Sequence, residues 1–391
     1  MKITNLSLAV IAVVGMMSVA SADVDVDLGG QAVVYYQTSD ASGTGDLFNQ
    51  DSSLANFGLQ LDATSDIGNG FGLGVQASAL NASGLNKNLV SNVMQAGGGD
   101  LDDAENYFGI TKAYLTKNIG KTTLKMGRQE LPKSLSPLAF SEGWNVFKNT
   151  FDAVVAINND VPDTTVVGAY VSSSNGNGIA NDMTSFDDLA GGAAEKGAYM
   201  LTVANKSVQN VPMTLSYYSL PSTDLSAVWA DVQAKQLGPV NVGLQGGMVM
   251  NDASGGNDTT GLGVKVSGKA GPADLTVAYS TVDDGDVPIH NVGTNVKTPL
   301  YTQMILNQGA IKSDNDTVML KAAAPAGPGK VIGQYAYTTD NSIAENDYNE
   351  LDLIYKFKAL GTTMLAAYVM QDGDAYEDPN NVLRFWTRYN F

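Results

Sequence analysis

The chain has no cysteine and a single histidine, His290. Without thiols there is no disulfide framework, no cysteine-based metal site and no thiol nucleophile. With one imidazole, set in a polar loop, a catalytic triad and a His-based zinc site of the usual kind are excluded. Past residue 22 no apolar run approaches the ~20 residues that a membrane-spanning helix needs, and helical periodicity is scarce. Basic residues are few: 22 Lys+Arg stand against 40 Asp+Glu, a formal net charge of −18. Such a chain is a poor partner for nucleic acid.

What is present begins with an export signal. MKITNLSLAVIAVVGMMSVASA carries Lys2 in its n-region, an apolar stretch from Leu6 to Met17, and Ala20-Ser21-Ala22 as a cleavage triplet. Residues 1–22 read as a signal peptide and Asp23 as the mature N-terminus. Removing Lys2 with it takes the charge from −18 to −18 − 1 = −19. Such a protein is soluble in the periplasm, secreted, or built into a membrane as a barrel. The 42 Gly, 17 Tyr and mean hydropathy of −0.06 suit strands that alternate between lipid and water.

Period-2 alternation runs through the mature chain. Val26, Leu28, Ala32, Val34 and Tyr36 share a face, with Asp25, Asp27, Gln31 and Gln37 opposite. FGLQLDA, FGLGVQASA, GLGVKVSG, ADLTVAYS and NELDLIYKF repeat the pattern, with glycine on the wet side at Gly58, Gly74 and Gly243. AYMLTVA and TTMLAAYVM hardly alternate. Short connections such as Asn205 to Pro212 and Gly268 to Asp274 intersperse with long polar ones, Leu80 to Asn106, Ser172 to Lys196 and Thr281 to Asp316. Short turns at one end and long loops at the other are the grammar of an outer-membrane barrel.

The expected fold is therefore all-β: a single domain, 23–391, forming a transmembrane antiparallel up-and-down barrel of about eighteen strands, or sixteen, with short periplasmic turns and long external loops. The last residues, NVLRFWTRYNF, put Leu383, Phe385, Thr387, Tyr389 and Phe391 on one face and Arg384, Trp386, Arg388 and Asn390 on the other. A closing strand pairs with the first and leaves no edge. Phe391 then sits at the rim, and a terminal Phe after alternating apolar residues resembles the recognition signal of the barrel assembly machinery. The alternatives are an edge strand ending a sandwich and, for the whole chain, an exported acidic surface-layer or adhesin-type β protein without a channel. A barrel enzyme would need a nucleophile, base and orienting acid at one rim, and no such set is apparent.

The stretch from Lys112 to Ser172, which includes LKMGRQELP and PLAFSEGWNVF, resembles the major outer-membrane porins of campylobacter-type bacteria, themselves distantly similar to the substrate-selective Opr-type porins. The signal, TPLYTQMILNQGAI (Thr298 to Ile311) and the C-terminal strand share the resemblance. It implies a homotrimer in the outer membrane, among lipid and lipopolysaccharide, passing ions and small hydrophilic solutes, with an inward loop narrowing each pore.

That loop would run between Arg128 and Asn149. Its charges, Arg128, Glu130, Lys133, Glu142 and Lys148, are candidates for the constriction, where charges facing each other orient dipolar solutes; Trp144, Phe147 and Phe151 would anchor it. Strand parity adds Lys125, Lys265, Lys321, Arg384 and Arg388 as lumen cations and Asp62, Glu350 and Asp352 as lumen anions. Arg384 and Arg388 either form a basic strip with Lys125 or brace the barrel against carboxylates. The acidic stretches Gly97 to Glu105 and Val282 to Asp286 invite a calcium reading but lack the calcium-loop spacing, so solvated acidic loops are the favoured alternative and no cofactor is expected. Net charge predicts weak cation selectivity, against which the basic groups on the lumen wall stand.

Overall fold

The structure is a computed structural model and describes residues 25–41, 45–96, 106–176, 181–183, 185–190, 192–343 and 346–391. Residues 1–22, read above as a signal peptide, and the Gly97 to Glu105 stretch lie outside them. Eighteen strands follow one another around a single ring: β1 (Val26–Ser39), β2 (Ser53–Gly68), β3 (Phe71–Asn81), β4 (Asn106–Ile119), β5 (Thr122–Gln129), β6 (Phe151–Asn158), β7 (Thr164–Asn175), β8 (Ala198–Asn205), β9 (Met213–Leu220), β10 (Leu225–Leu237), β11 (Val240–Asn251), β12 (Thr259–Ala270), β13 (Ala273–Val282), β14 (Asn315–Ala326), β15 (Gly329–Asp340), β16 (Tyr348–Ala359), β17 (Thr362–Gly373) and β18 (Asn380–Asn390). Each pairs antiparallel with the next, and β18 closes on β1 from Gln31↔Asn390 to Ser39↔Val382. The chain thus forms one closed barrel of the larger expected strand count, not stacked sandwiches.

Alternation dictates which side each residue takes. Leu28, Val34, Leu124, Met126, Leu201, Leu215, Leu244, Leu262, Leu320 and Leu353 are exposed on the outer surface, the reverse of a soluble domain and the requirement of a lipid-facing wall. Phe385, Tyr389 and Phe391 are exposed on that surface while Arg384 is buried inside, as the parity of the last strand requires. The Phe391 N–H and C=O bond to Gly30 at 3.1 and 2.9 Å, so the last residue still pairs with the first strand.

The two ends of the barrel differ in chain chemistry. At one end most of the links between strands are two-residue turns; three of them, Gly238-Pro239, Gly271-Pro272 and Gly327-Pro328, place Gly at φ +63, +59 and +52. Positive φ at the first turn position is what a tight hairpin of this type demands, and proline then fixes the second. By the rule for such barrels this end is periplasmic. Long connections emerge at the other end, and two of them, 130–150 and 283–314, turn back into the barrel.

Candidate functional site

The lumen is narrowed by these two loops, and the residues that hold them come from both the loops and the wall. The 130–150 loop starts at Arg128, which stays on β5. Its Nε and Nη2 bond Asp152 Oδ1 and Oδ2 of β6 at 3.0 and 3.1 Å, and its guanidinium lies 3.3 Å from the Phe186 ring centroid. This bidentate clasp fixes the base of the loop. Farther on, Val146 and Phe147 are buried against Val33 and Tyr35 of β1. Phe147 fits because β2 has no side chain beneath it: a Cβ on Gly58 would stand 2.6 Å from the ring.

Arg384 and Arg388 brace the far side of the same loop. Arg388 donates to the carbonyls of Val146 and Asn145 at 2.8 and 2.6 Å and to Gln31 Oε1 at 2.9 Å. Arg384 donates to Gln37 at 3.0 Å and lies 5.8 Å from the rings of both Tyr35 and Trp144. Of the two roles open to these arginines, the geometry is that of bracing, though against carbonyls, an amide and rings in place of carboxylates.

Glu142 ties the two loops together. It is 3% exposed; its carboxylate accepts from Trp144 Nε1 (2.7 Å), Asn291 Nδ2 (2.7 Å), the Thr294 hydroxyl (2.5 Å) and the Lys297 N–H (3.1 Å). Three of these donors belong to the 283–314 loop. A carboxylate so enclosed acts as a cross-link, since no face of it remains for a passing ion.

The 283–314 loop is held from below by the wall. Asp352 and Glu350 of β16 accept from the N–H groups of Ile305 and Leu306 at 3.3 and 2.9 Å, and both carboxylates are fully buried. Lys297 turns inward to donate to the carbonyls of Met304 and Ile305 and to Gln308, at 3.1, 2.6 and 3.1 Å. Burial, and to a lesser extent Arg384, lower its pKa to about 8 against the opposing pull of Glu142, Glu350 and Asp352. His290 bonds Asn295 at 2.8 Å, and burial holds its imidazole below the ordinary value.

Charges that keep contact with the lumen fall into two groups. In the first, Glu130 sits between Lys112 and Lys148, each at 2.7 Å, with Asp62 3.8 Å from Lys112 and Lys125 over the Tyr114 ring. Burial works to raise the Glu130 carboxyl, but the two lysines outweigh it and hold it below its ordinary value. In the second, Lys133 donates to the Thr298 carbonyl at 3.2 Å, Tyr301 donates to Asp231 at 2.5 Å, and Lys265 stands 4.0 Å over the Tyr301 ring. Lys133 keeps exposed surface, yet the protein crowded around it lowers its pKa to about 8. Lys321 lies farther along the same wall, between the buried Met319 and Ala323.

Of the constriction candidates, Glu130, Lys133 and Lys148 thus meet the lumen, Arg128 lies on the wall and Glu142 is enclosed. Sequence reading missed the second inward loop, and with it Asp231, Lys297 and Tyr301. The amide-rich TPLYTQMILNQGAI, too apolar for a solvated loop, was the available signal. Lys112 was missed because a register shift between Gln76 and Ala77 opposite it hides its parity. Among the described residues no cluster of His, Asp and Glu could hold a metal ion.

No curated protein matches the sequence. Solved structures do. The Pseudomonas aeruginosa proteins OccK9 (OpdG) and OccK8 (OprE) match at TM-scores of 0.76 and 0.75, with 16% and 12% identity, over 94% of this chain and 98% of each of theirs. OpdK of the same organism, solved with vanillate, matches at 0.75 with 14% identity over 93% and 98%. At such identity the likeness speaks for the fold. The family model described as Gram-negative porin matches residues 7–376. A closed, lipid-faced barrel with a loop-narrowed lumen is what that family builds in the outer membrane to pass small solutes, and this chain belongs to the Gram-negative porins.

Proposed function

We propose that the chain is a passive diffusion porin for ions and small hydrophilic solutes, and that its inner wall, not its acidic rim, sets a weak preference for anions. The observation that carries this reading is the separation of charge along the axis. Exposed acids crowd the external loops: Asp46, Asp51, Asp252, Asp284, Asp374 and Glu377. On the periplasmic half of the wall from β12 to β16, Lys265, Lys321, Lys356 and Lys358 take lumen-facing positions, Asp274 is paired there with Lys269 and Lys330 at 2.7 and 3.8 Å, and the wall acids Glu350 and Asp352 are spent on the 283–314 loop. A low-dielectric wall strengthens the field of the charges it carries, whereas rim charges face bulk water and salt. Net charge, from which cation selectivity was expected, sums over both zones and so gives the wrong weight to the rim.

The finer assignments rest on the resemblance and, for residues 1–22, on the export-signal pattern. Campylobacter-type membership, a homotrimer embedded among lipid and lipopolysaccharide, removal of residues 1–22 to leave one barrel domain, and delivery to the assembly machinery through Phe391 all belong to this reading. No enzymatic role is part of it, since the one imidazole is engaged with Asn295. Detergent-extracted protein in a planar bilayer tests it: stepwise openings in threes, with a reversal potential of anionic sign, are expected. A folded barrel that never conducts would overturn it.

A further inference from the structure

Resting on that reading, we infer that the lumen contains a subsite for small zwitterions, solutes carrying an ammonium and a carboxylate together. The site is a cavity of about 470 Å³ between the two inward loops and β9 to β11, lined by Lys133, Trp229, Asp231, Gln245, Tyr301 and Gln303 among others. That volume lies in the range of small-molecule sites, roughly 300–1,000 Å³. A sheath of water-filled wall would not need such a pocket.

Its charges are arranged as a split pair. Asp231 is anchored by the Tyr301 hydroxyl at 2.5 Å and by Gln233 Nε2 at 2.7 Å. Lys133 lines the cavity from the 130–150 loop, and Lys265, outside the lining, stands beside it on the face of the same phenol ring, 4.0 Å from its centroid. Among the described residues neither lysine closes to the 4.0 Å of an ion pair with Asp231. Tyr301 holds the opposite charges a ring's length apart, so each keeps bonding capacity that the other does not use.

A solute bearing both charges bridges that gap. Its ammonium meets Asp231, its carboxylate meets Lys265 and Lys133, and each contact is a charge-assisted hydrogen bond. Gln245 and Gln303 add donors and acceptors, while Trp229, 3% exposed, forms an apolar floor that accepts a short side chain. A simple anion would meet the lysines but also Asp231, and a simple cation would meet Asp231 but also two ammonium groups. Each pays a repulsion that the zwitterion avoids.

The test compares alanine, propionate and ethylammonium as blockers of open-channel current in bilayers containing the whole mature protein. Alanine is expected to bind most tightly. Asp231→Asn should weaken alanine about tenfold, the loss of one charge-assisted bond, and bring it level with propionate; Lys265→Gln should weaken it similarly and bring it toward ethylammonium. Tyr301→Phe removes the hydroxyl without removing either charge and should keep the preference for alanine, which separates loss of charge from a loosened loop. A conducting channel that treats alanine and propionate alike, or an Asp231→Asn channel that still prefers alanine, overturns the subsite alone. A protein that never conducts overturns the channel reading with it.

Discussion

Two stretches of the barrel wall, β6 to β10 and β12 to β16, are made by the same alternation and put it to different use. Along the first, lumen-facing positions include Ala153, Val155, Val167, Ala169, Met200 and Trp229, all buried beneath Leu131, Leu138, Ile289 and Leu300 of the inward loops. Along the periplasmic half of the second they include Lys265, Lys321, Lys356 and Lys358, which meet the lumen. An inward-facing residue therefore either grips a loop or faces the solutes. The first kind sets how wide the channel is, and the second sets what it prefers.

The largest effect on this division should come from Glu142→Ala. It strands Trp144 Nε1, Asn291, Thr294 and the Lys297 N–H in a buried site; each buried donor left without its acceptor costs about 1–3 kcal/mol. Both loops should loosen, giving a larger and noisier single-channel conductance and a lower Tm of heat-modifiable barrel. An unchanged conductance would mean that the loops do not depend on this carboxylate. Gly58→Val acts on one loop only: its side chain occupies the space of the Phe147 ring, at 2.6 Å from the first added carbon. Conductance should rise less than for Glu142→Ala, and ion preference should not change sign.

Smaller still is the response to pH. Lys133 loses its charge as pH rises through about 8, so anion preference should weaken across that range, and Lys133→Met should abolish the change. Lys297 gives a stability effect with a defined sign. Its folded pKa of about 8 lies below the ordinary 10.5, so above about 8 the unfolded chain holds the extra proton. Stability from this group is flat below that pH and rises with pH up to the ordinary value. Thermal unfolding followed from pH 7 upward, with Lys297→Met as control, checks the slope.

The contrast between the walls also explains what could be read in the sequence. Strands facing lipid on one side and water on the other announce themselves, as NVLRFWTRYNF and NELDLIYKF do. AYMLTVA did not alternate because its inward Ala198 and Met200 lie in the apolar cluster under the loops, while Tyr199 and Leu201 face lipid. TTMLAAYVM is blurred in the same way by the buried Ala367 and Val369. In AYMLTVA broken alternation thus marked the loop-bearing wall, a signal legible only once the loops are seen. Parity found the lumen side of Lys125, Lys265, Lys321, Arg384 and Arg388. It could not tell that the arginines hold a loop or that Glu350 and Asp352 lie beneath one, because those roles depend on residues distant in the chain.

The central claim is that the inner wall governs ion preference, and the reversal potential under a salt gradient tests it most directly, measured for the natural protein and for Lys265→Gln/Lys321→Gln/Lys356→Gln. The account predicts a weak anionic sign that moves toward cations in the triple variant. A cationic sign in the natural protein, unmoved by removing the three lysines, would contradict it and return control to the acidic rim.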